Sequence, residues 1–207
     1  MHIQSIAISL LAIATSASAG VLIDYGYDAA ALNDAGVVRS EDNPNSQFGF
    51  AQFQAFNIDF ADEAWQLDSA LIGVRAWDII STGQATLAIY GSNGLQPDLL
   101  DKRSADFSFT ASSLFGELVQ IDLGGIVLES GFYYVGIEAA EPTAELLWLA
   151  GDDSAFRTAR RSDGNFFSGS PRALSLSLSG AVVPGPGGLV GILVFGLIGV
   201  RRRKLTA

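Results

Sequence analysis

The chain has 207 residues, a formal net charge of −10, a single His and no Cys. That His is His2, so beyond it there is neither imidazole nor thiol; Ser-His-Asp and Cys-His catalysis, His- or Cys-ligated metals and disulfides are all excluded. Residues 20–180 carry all 22 acidic residues and only eight of the 12 basic ones, a balance of −14. Such a field repels nucleic acid, which excludes a DNA- or RNA-binding role.

In chain order, the first predicted element is a secretory signal peptide over residues 1–19. The stretch from Ile3 to Thr15 is mostly apolar, and Ala17-Ser18-Ala19 has the small-residue pattern of a signal peptidase site, leaving Gly20 as the first mature residue. The n-region holds no Lys or Arg, only the α-amino group and His2. Without Cys there is no lipobox either.

Residues 20–180 are expected to form one domain, long enough for a sizeable core and not divided by a Pro/Ser linker. Its periodicity is that of strands. Phe56, Ile58 and Phe60 alternate with Asn57 and Asp59, the two-residue period of a half-buried strand. Leu87 and Ile89 alternate with Thr86, Ala88 and Tyr90 before the turn-rich Gly91-Ser92-Asn93-Gly94. Val119, Ile121 and Leu123 alternate in the same way before Gly124-Gly125. Residues 126–128 and 132–137 read as two strands joined by the short turn Glu129-Ser130-Gly131, and Leu174, Leu176 and Leu178 alternate with Ser175, Ser177 and Ser179 in a last strand. No 12-residue window outside the two ends has a helical period. Short, regularly spaced strands with glycine-rich turns predict an all-β fold, an antiparallel β-sandwich of jelly-roll type.

Few residue patterns in this domain carry chemistry. No phosphate-binding G-x-x-x-x-G-K-[ST] or G-x-G-x-x-G after a strand is present. Paired carboxylates suffice for glycoside hydrolysis, and Asp59, Asp62, Glu63 and Asp68 are candidates by proximity alone; among 22 acids such proximity arises by chance. Calcium takes oxygen ligands from Asp/Asn-rich loops, and Glu41-Asp42-Asn43-Pro44-Asn45 and Asp152-Asp153 with Asp163-Gly164-Asn165 are the two loops of that composition. Neither has EF-hand spacing, and ordinary Asx turns explain both, so no metal ligand is assigned and no cofactor is expected beyond a structural calcium. Trp65, Trp77, Tyr90, Tyr133, Tyr134 and Trp148 would stack on sugar rings if exposed, but in a disulfide-free domain aromatics are mainly core material. Arg157, Arg160 and Arg161 form the domain's one basic cluster, suited to pairing with nearby acids or to contacting an acidic polysaccharide.

The last segment, residues 181–207, has three parts. Val183-Pro184-Gly185-Pro186 breaks regular structure, an uncharged apolar run follows to Val200, and Arg201-Arg202-Arg203-Lys204 closes it. As a helix, residues 187–200 would span about 21 Å, short against a hydrocarbon core of about 30 Å. Local thinning and snorkelling arginines accommodate such a mismatch. With the basic cluster retained inside, the preceding domain faces outward.

This tail resembles the PEP-CTERM sorting signal, in which a Val-Pro-x-Pro motif, a short hydrophobic helix and an Arg-rich end close exported bacterial proteins. Val183, Pro184 and Pro186 match, and Gly185 stands where that family usually has Glu. The resemblance implies processing by an exosortase. The pair Gly187-Gly188 also looks like the GlyGly-CTERM signal, which implies a rhomboid-type protease. Both imply a Gram-negative envelope and export to the surface. Trp65-Gln66-Leu67, Leu87-Ala88-Ile89-Tyr90 with Pro97-Asp98, and Gly131-Phe132-Tyr133-Tyr134-Val135-Gly136-Ile137 further resemble, loosely, jelly-roll-like domains of secreted PEP-CTERM proteins.

The sequence therefore predicts an exported, surface-sorted, non-catalytic protein, a structural or adhesive component of the extracellular matrix or cell envelope. Its expected partners are an exosortase-like enzyme, the membrane through the C-terminal helix before processing, and extracellular polysaccharide. The alternative is a carbohydrate-binding module for exopolysaccharide, and a third reading is a glycosidase using two carboxylates.

Overall fold

The computed structural model describes residues 20–27, 35–39, 50–59, 63–76, 80–93, 96–112, 116–139, 145–152, 158–162, 165–168 and 173–184. These residues form twelve strands and no helix: β1 (Gly20–Asp24), β2 (Ala35–Arg39), β3 (Phe50–Ile58), β4 (Glu63–Ala76), β5 (Ile80–Asn93), β6 (Gln96–Ser112), β7 (Glu117–Leu128), β8 (Gly131–Ala139), β9 (Glu145–Leu149), β10 (Thr158–Ser162), β11 (Asn165–Ser168) and β12 (Leu176–Pro184). Every pairing is antiparallel.

Two groups of strands face each other. One has the order β1-β12-β4-β7 and the other β3-β8-β5-β6, with the β10–β11 hairpin on the far edge of β3. Strands β9 and β2 join the groups into one hydrogen-bonded path, since β9 pairs with the end of β4 and β2 passes the ladder on to β3. Side chains from both groups share one core. Trp65, Leu67, Ile72 and Val74 of β4, Ile121 of β7, and Leu176 and Leu178 of β12 meet Phe56 and Ile58 of β3, Leu87 and Ile89 of β5, and Val135 and Ile137 of β8. This burial is the main stabilising term, since a disulfide-free chain has no covalent cross-link to add to it.

Of the residues expected inside, Phe56, Ile58, Leu87, Ile89, Ile121, Leu123, Leu174, Leu176 and Leu178 are buried and Val119 is partly buried, while Phe60 lies outside the described residues. Three features differ from a simple period-two reading. First, Asp68 is an extra residue in β4 opposite β12, so the inward set changes from Trp65 and Leu67 to Ala70, Ile72 and Val74. Second, Gly124 and Gly125 do not end their strand. Both adopt positive φ, 62° and 76°, and β7 bulges there and continues to Leu128, so Leu67 faces Ile126 while Ser69 faces Asp122. Third, β7 and β8 do not form a hairpin: the chain at Glu129-Ser130 crosses from one layer to the other.

A hydrogen-bonded seam runs beside the bridging strands. The Trp148 indole donates to the Ser175 carbonyl at 2.6 Å, and Ser175 Oγ accepts from the Gly73 N–H at 2.7 Å. Gln54, fully buried in β3, accepts from the Leu174 N–H at 2.8 Å and donates to the Ala55 carbonyl at 3.1 Å. An interior amide survives here because its polar atoms find partners on β3 itself and on the segment leading into β12.

Candidate functional site

The side of β3, β5 and β8 turned away from the shared core is not simply solvated. Ala51, Phe53 and Ala55 of β3, Ala88 and Tyr90 of β5, Tyr134 of β8 and Ala159 of β10 form a second buried cluster. Phe53 packs edge-on to Tyr90 at 5.5 Å and against Phe166 at 5.6 Å. Gly136 lies beneath them: a Cβ there would come within 2.6 Å of the Phe53 ring.

Beside this cluster lies a group of charged side chains. Glu138 of β8 accepts from the Tyr90 hydroxyl at 2.8 Å and from Lys102 Nζ of β6 at 3.1 Å, and Arg161 of β10 approaches to 3.5 Å. Lys102 also sits 5.6 Å above the Tyr90 ring. Burial pushes the Glu138 carboxyl up, but the hydrogen bonds from Tyr90 and Lys102 and the charges of Lys102 and Arg161 outweigh it and hold the group below its usual range. Burial, then the neighbouring Glu138 charge and hydrogen bond, push the Tyr90 phenol far up, so it stays a neutral donor. Two hydrogen bonds and a longer ion pair hold the carboxylate, and these contacts tie β5, β6, β8 and β10 together.

The residues singled out by sequence are dispersed. Gly20 begins β1 and pairs with Gly180, so the two ends of the domain lie side by side. Val183 and Pro184 are the last residues of β12, paired with Ala64 and Glu63 of β4. Ala17, Ala19, Gly185, Pro186, the apolar run and Arg201, Arg202, Arg203 and Lys204 lie outside the described residues. Among the described residues no helix is long and apolar enough to cross a membrane.

Of the carboxylates, Asp59 and Asp68 are exposed, Glu63 is in β4 opposite Pro184, and Asp62 lies outside the described residues. Asp59 accepts from the Asn57 side-chain amide in a local turn contact. Of the calcium loops only Asp152 and Asn165 are described, and among the described residues no three His, Cys, Asp or Glu side chains gather. Trp65, Tyr90, Tyr133, Tyr134 and Trp148 are all buried, while Trp77 lies outside the described residues. Arg160 and Arg161 are in β10, and Arg161 reaches Glu138 as an acid partner; Arg157 is not among the described residues.

Sequence reading did not single out Glu138. Its signal was present, because Tyr134, Gly136 and Glu138 share one face at period two, but only the side-chain contacts in the folded domain show that Lys102 and Arg161 meet it.

These features define a class: an antiparallel, two-layered all-β domain with a charged cluster that joins β5, β6, β8 and β10. Comparison with protein-family models, curated proteins and solved structures finds no match to this chain.

Proposed function

We propose that this is an exported, surface-sorted, non-catalytic protein that serves as a structural or adhesive component of the extracellular matrix or cell envelope. The signal over residues 1–19 directs export. Residues 187–200 form a hydrophobic helix that enters the membrane, the basic residues 201–204 stay inside, and an exosortase-like enzyme reads Val183 to Pro186. The domain is a β-sandwich of jelly-roll type: β1-β12-β4-β7 over β3-β8-β5-β6 is the order produced by rolling two Greek keys together.

The observation that favours a structural role over a carbohydrate-binding module is the burial, among the described residues, of Trp65, Tyr90, Tyr133, Tyr134 and Trp148. These aromatics build cores and offer no stacking platform to a sugar. The sorting half rests on the three-part layout of residues 183–204. Deleting residues 185–207 in the native host tests it: the domain should pass into the medium and be lost from the cell surface. Unchanged surface display would contradict it.

A further inference from the structure

Among the described residues, β1 pairs only with β12, β6 only with β5, β7 only with β4 and β11 only with β10. An open strand edge presents a row of unpaired N–H and C=O groups, and proteins blunt it with short strands, bulges, proline or charge. Strand β1 has five residues and a break in register after Val21, β11 has four residues, and β7 carries the Gly124-Gly125 bulge. Strand β6 is different. It runs for 17 residues, and Lys102 to Ser112 pair with Tyr90 to Ile80 without a slip. Pro97, the register shift beside Tyr90 and Gly91, Lys102 and Arg103 guard only its first half. From Ser104 to Ser112 the one charge is Asp106, which accepts from the Thr86 hydroxyl of β5 at 2.6 Å. Ser104, Asp106, Ser108 and Thr110 are exposed, while Phe107, Phe109 and Ala111 belong to the core.

We propose that this edge pairs antiparallel with the same edge of a second copy of the chain, about a two-fold axis at Ser108, to give a homodimer with one continuous sheet. The segment is Ser104-Ala105-Asp106-Phe107-Ser108-Phe109-Thr110-Ala111-Ser112, which reads the same in both directions about Ser108 except that Asp106 mirrors Thr110. A two-fold interface sets residue i against j and j against i, so this register places like side chains opposite one another. Ser104 meets Ser112 of the other copy, Ala105 meets Ala111, and Phe107 meets Phe109. On the inner face the two Phe107–Phe109 pairs extend each core towards the other, and on the outer face the hydroxyls pair, both favourable cross-strand neighbours. The one mismatch is where identity would be harmful. A register centred on Asp106 would set two carboxylates directly opposite. Centred on Ser108, each Asp106 faces a threonine, and the two carboxylates are four positions apart, about 14 Å at the usual strand rise, beyond the screening length of about 8 Å at physiological salt. Two domains of net charge −14 repel each other, and this edge brings only one acid from each copy into the contact.

The absence of Cys makes the test clean, because each introduced Cys is a unique reactive site. Full-length S108C and S104C, in detergent micelles, would be treated with a short bis-maleimide. Residue 108 lies on the axis, with the two Cβ atoms about 5 Å apart, whereas residue 104 lies eight positions from its own copy, about 27 Å away. The proposal predicts covalent dimers of S108C and none of S104C. Sedimentation of the uncross-linked full-length chain should show a concentration-dependent dimer. Ser108→Lys and Ser108→Glu each place like charges on the axis and should each weaken that dimer about fivefold, the upper end for one exposed charge pair. Mixed one to one, the two variants should restore it, an outcome that misfolded variants would not produce. A chain that stays monomeric at every concentration would overturn the proposal. So would S104C that cross-links as readily as S108C, which would mean association through another surface, or a dimer indifferent to both charges.

Discussion

Removing the Glu138 carboxylate should destabilise the domain by an amount that depends on how it is removed. Glu138→Ala leaves the Tyr90 hydroxyl, on a fully buried residue, without its acceptor at 2.8 Å. An unsatisfied buried donor costs about 1–3 kcal/mol. The ion pairs add little: the Lys102 side chain is 34% exposed and Arg161 stands at 3.5 Å, so solvent screening limits both together to about 1 kcal/mol. Relief of burying a charge offsets part of this, and a net loss of about 2–3 kcal/mol is expected from these terms. Glu138→Gln keeps an acceptor for Tyr90 and loses only the charge, so its loss should be about 1 kcal/mol. The sign of the pH dependence follows from the lowered folded-state value. The charge contributes fully above the ordinary Glu value of about 4.3 and is lost as pH falls through the lower folded value. Urea unfolding followed by tryptophan fluorescence, at neutral pH and stepwise down to about pH 3, reads both quantities. The difference between wild type and Glu138→Gln should close at the acid end. A Glu138→Ala loss below about 0.5 kcal/mol, in the range of an ordinary surface substitution, would refute the clamp; so would a wild-type/Gln difference that persists unchanged in acid.

Further predictions concern the core and the strand register. Gln54→Leu keeps the side-chain volume but strands the Leu174 N–H, and should cost about 1–3 kcal/mol in the same assay. An added Cβ at Gly180 would collide with the Gln66 carbonyl where β12 passes the Asp68 bulge, so Gly180→Ala should cost about 1–3 kcal/mol and broaden the amide spectrum of β12 and β4. Gly136→Ala should displace the Phe53 and Tyr90 rings by a comparable energy, seen as a change in near-ultraviolet circular dichroism. Trp65 has a buried indole N–H with no partner, so Trp65→Phe should lose only packing and remain folded, with a melting point within a few degrees of wild type.

The all-β, antiparallel character was legible because apolar residues recur at period two in β3, β5, β7 and β12, and burial follows that period in β7 and, beyond Leu176, in β12, whereas β3 and β5 are buried on both faces. What escaped was whatever depends on pairing. The parity of β4 changes at Asp68, so no single alternation spans Glu63–Ala76, and a bulge leaves no local mark beyond an unremarkable Asp. Gly124-Gly125 carries a turn signal, yet the same positive φ that ends a strand also permits a bulge within one. Ala88 and Tyr90 alternate with core residues and so read as outward; they are buried because the opposite face carries its own cluster with Phe53 and Tyr134. The Glu138 clamp joins residues 36 and 48 positions apart, which no local pattern reveals. Ser175 looked like one more outward serine, but it accepts from Gly73 and Trp148 across strands.

The most direct test of sorting is the mass of the mature protein. Expressed in its native host, the chain should be recovered from envelope and medium fractions and its termini determined by intact-mass analysis. Loss of residues 1–19 together with the segment from about Pro186 onward is the expected result, leaving Gly20 and the end of β12 as the boundaries of one domain. An intact C-terminus in the membrane fraction would contradict processing and reduce the tail to a short, permanent anchor.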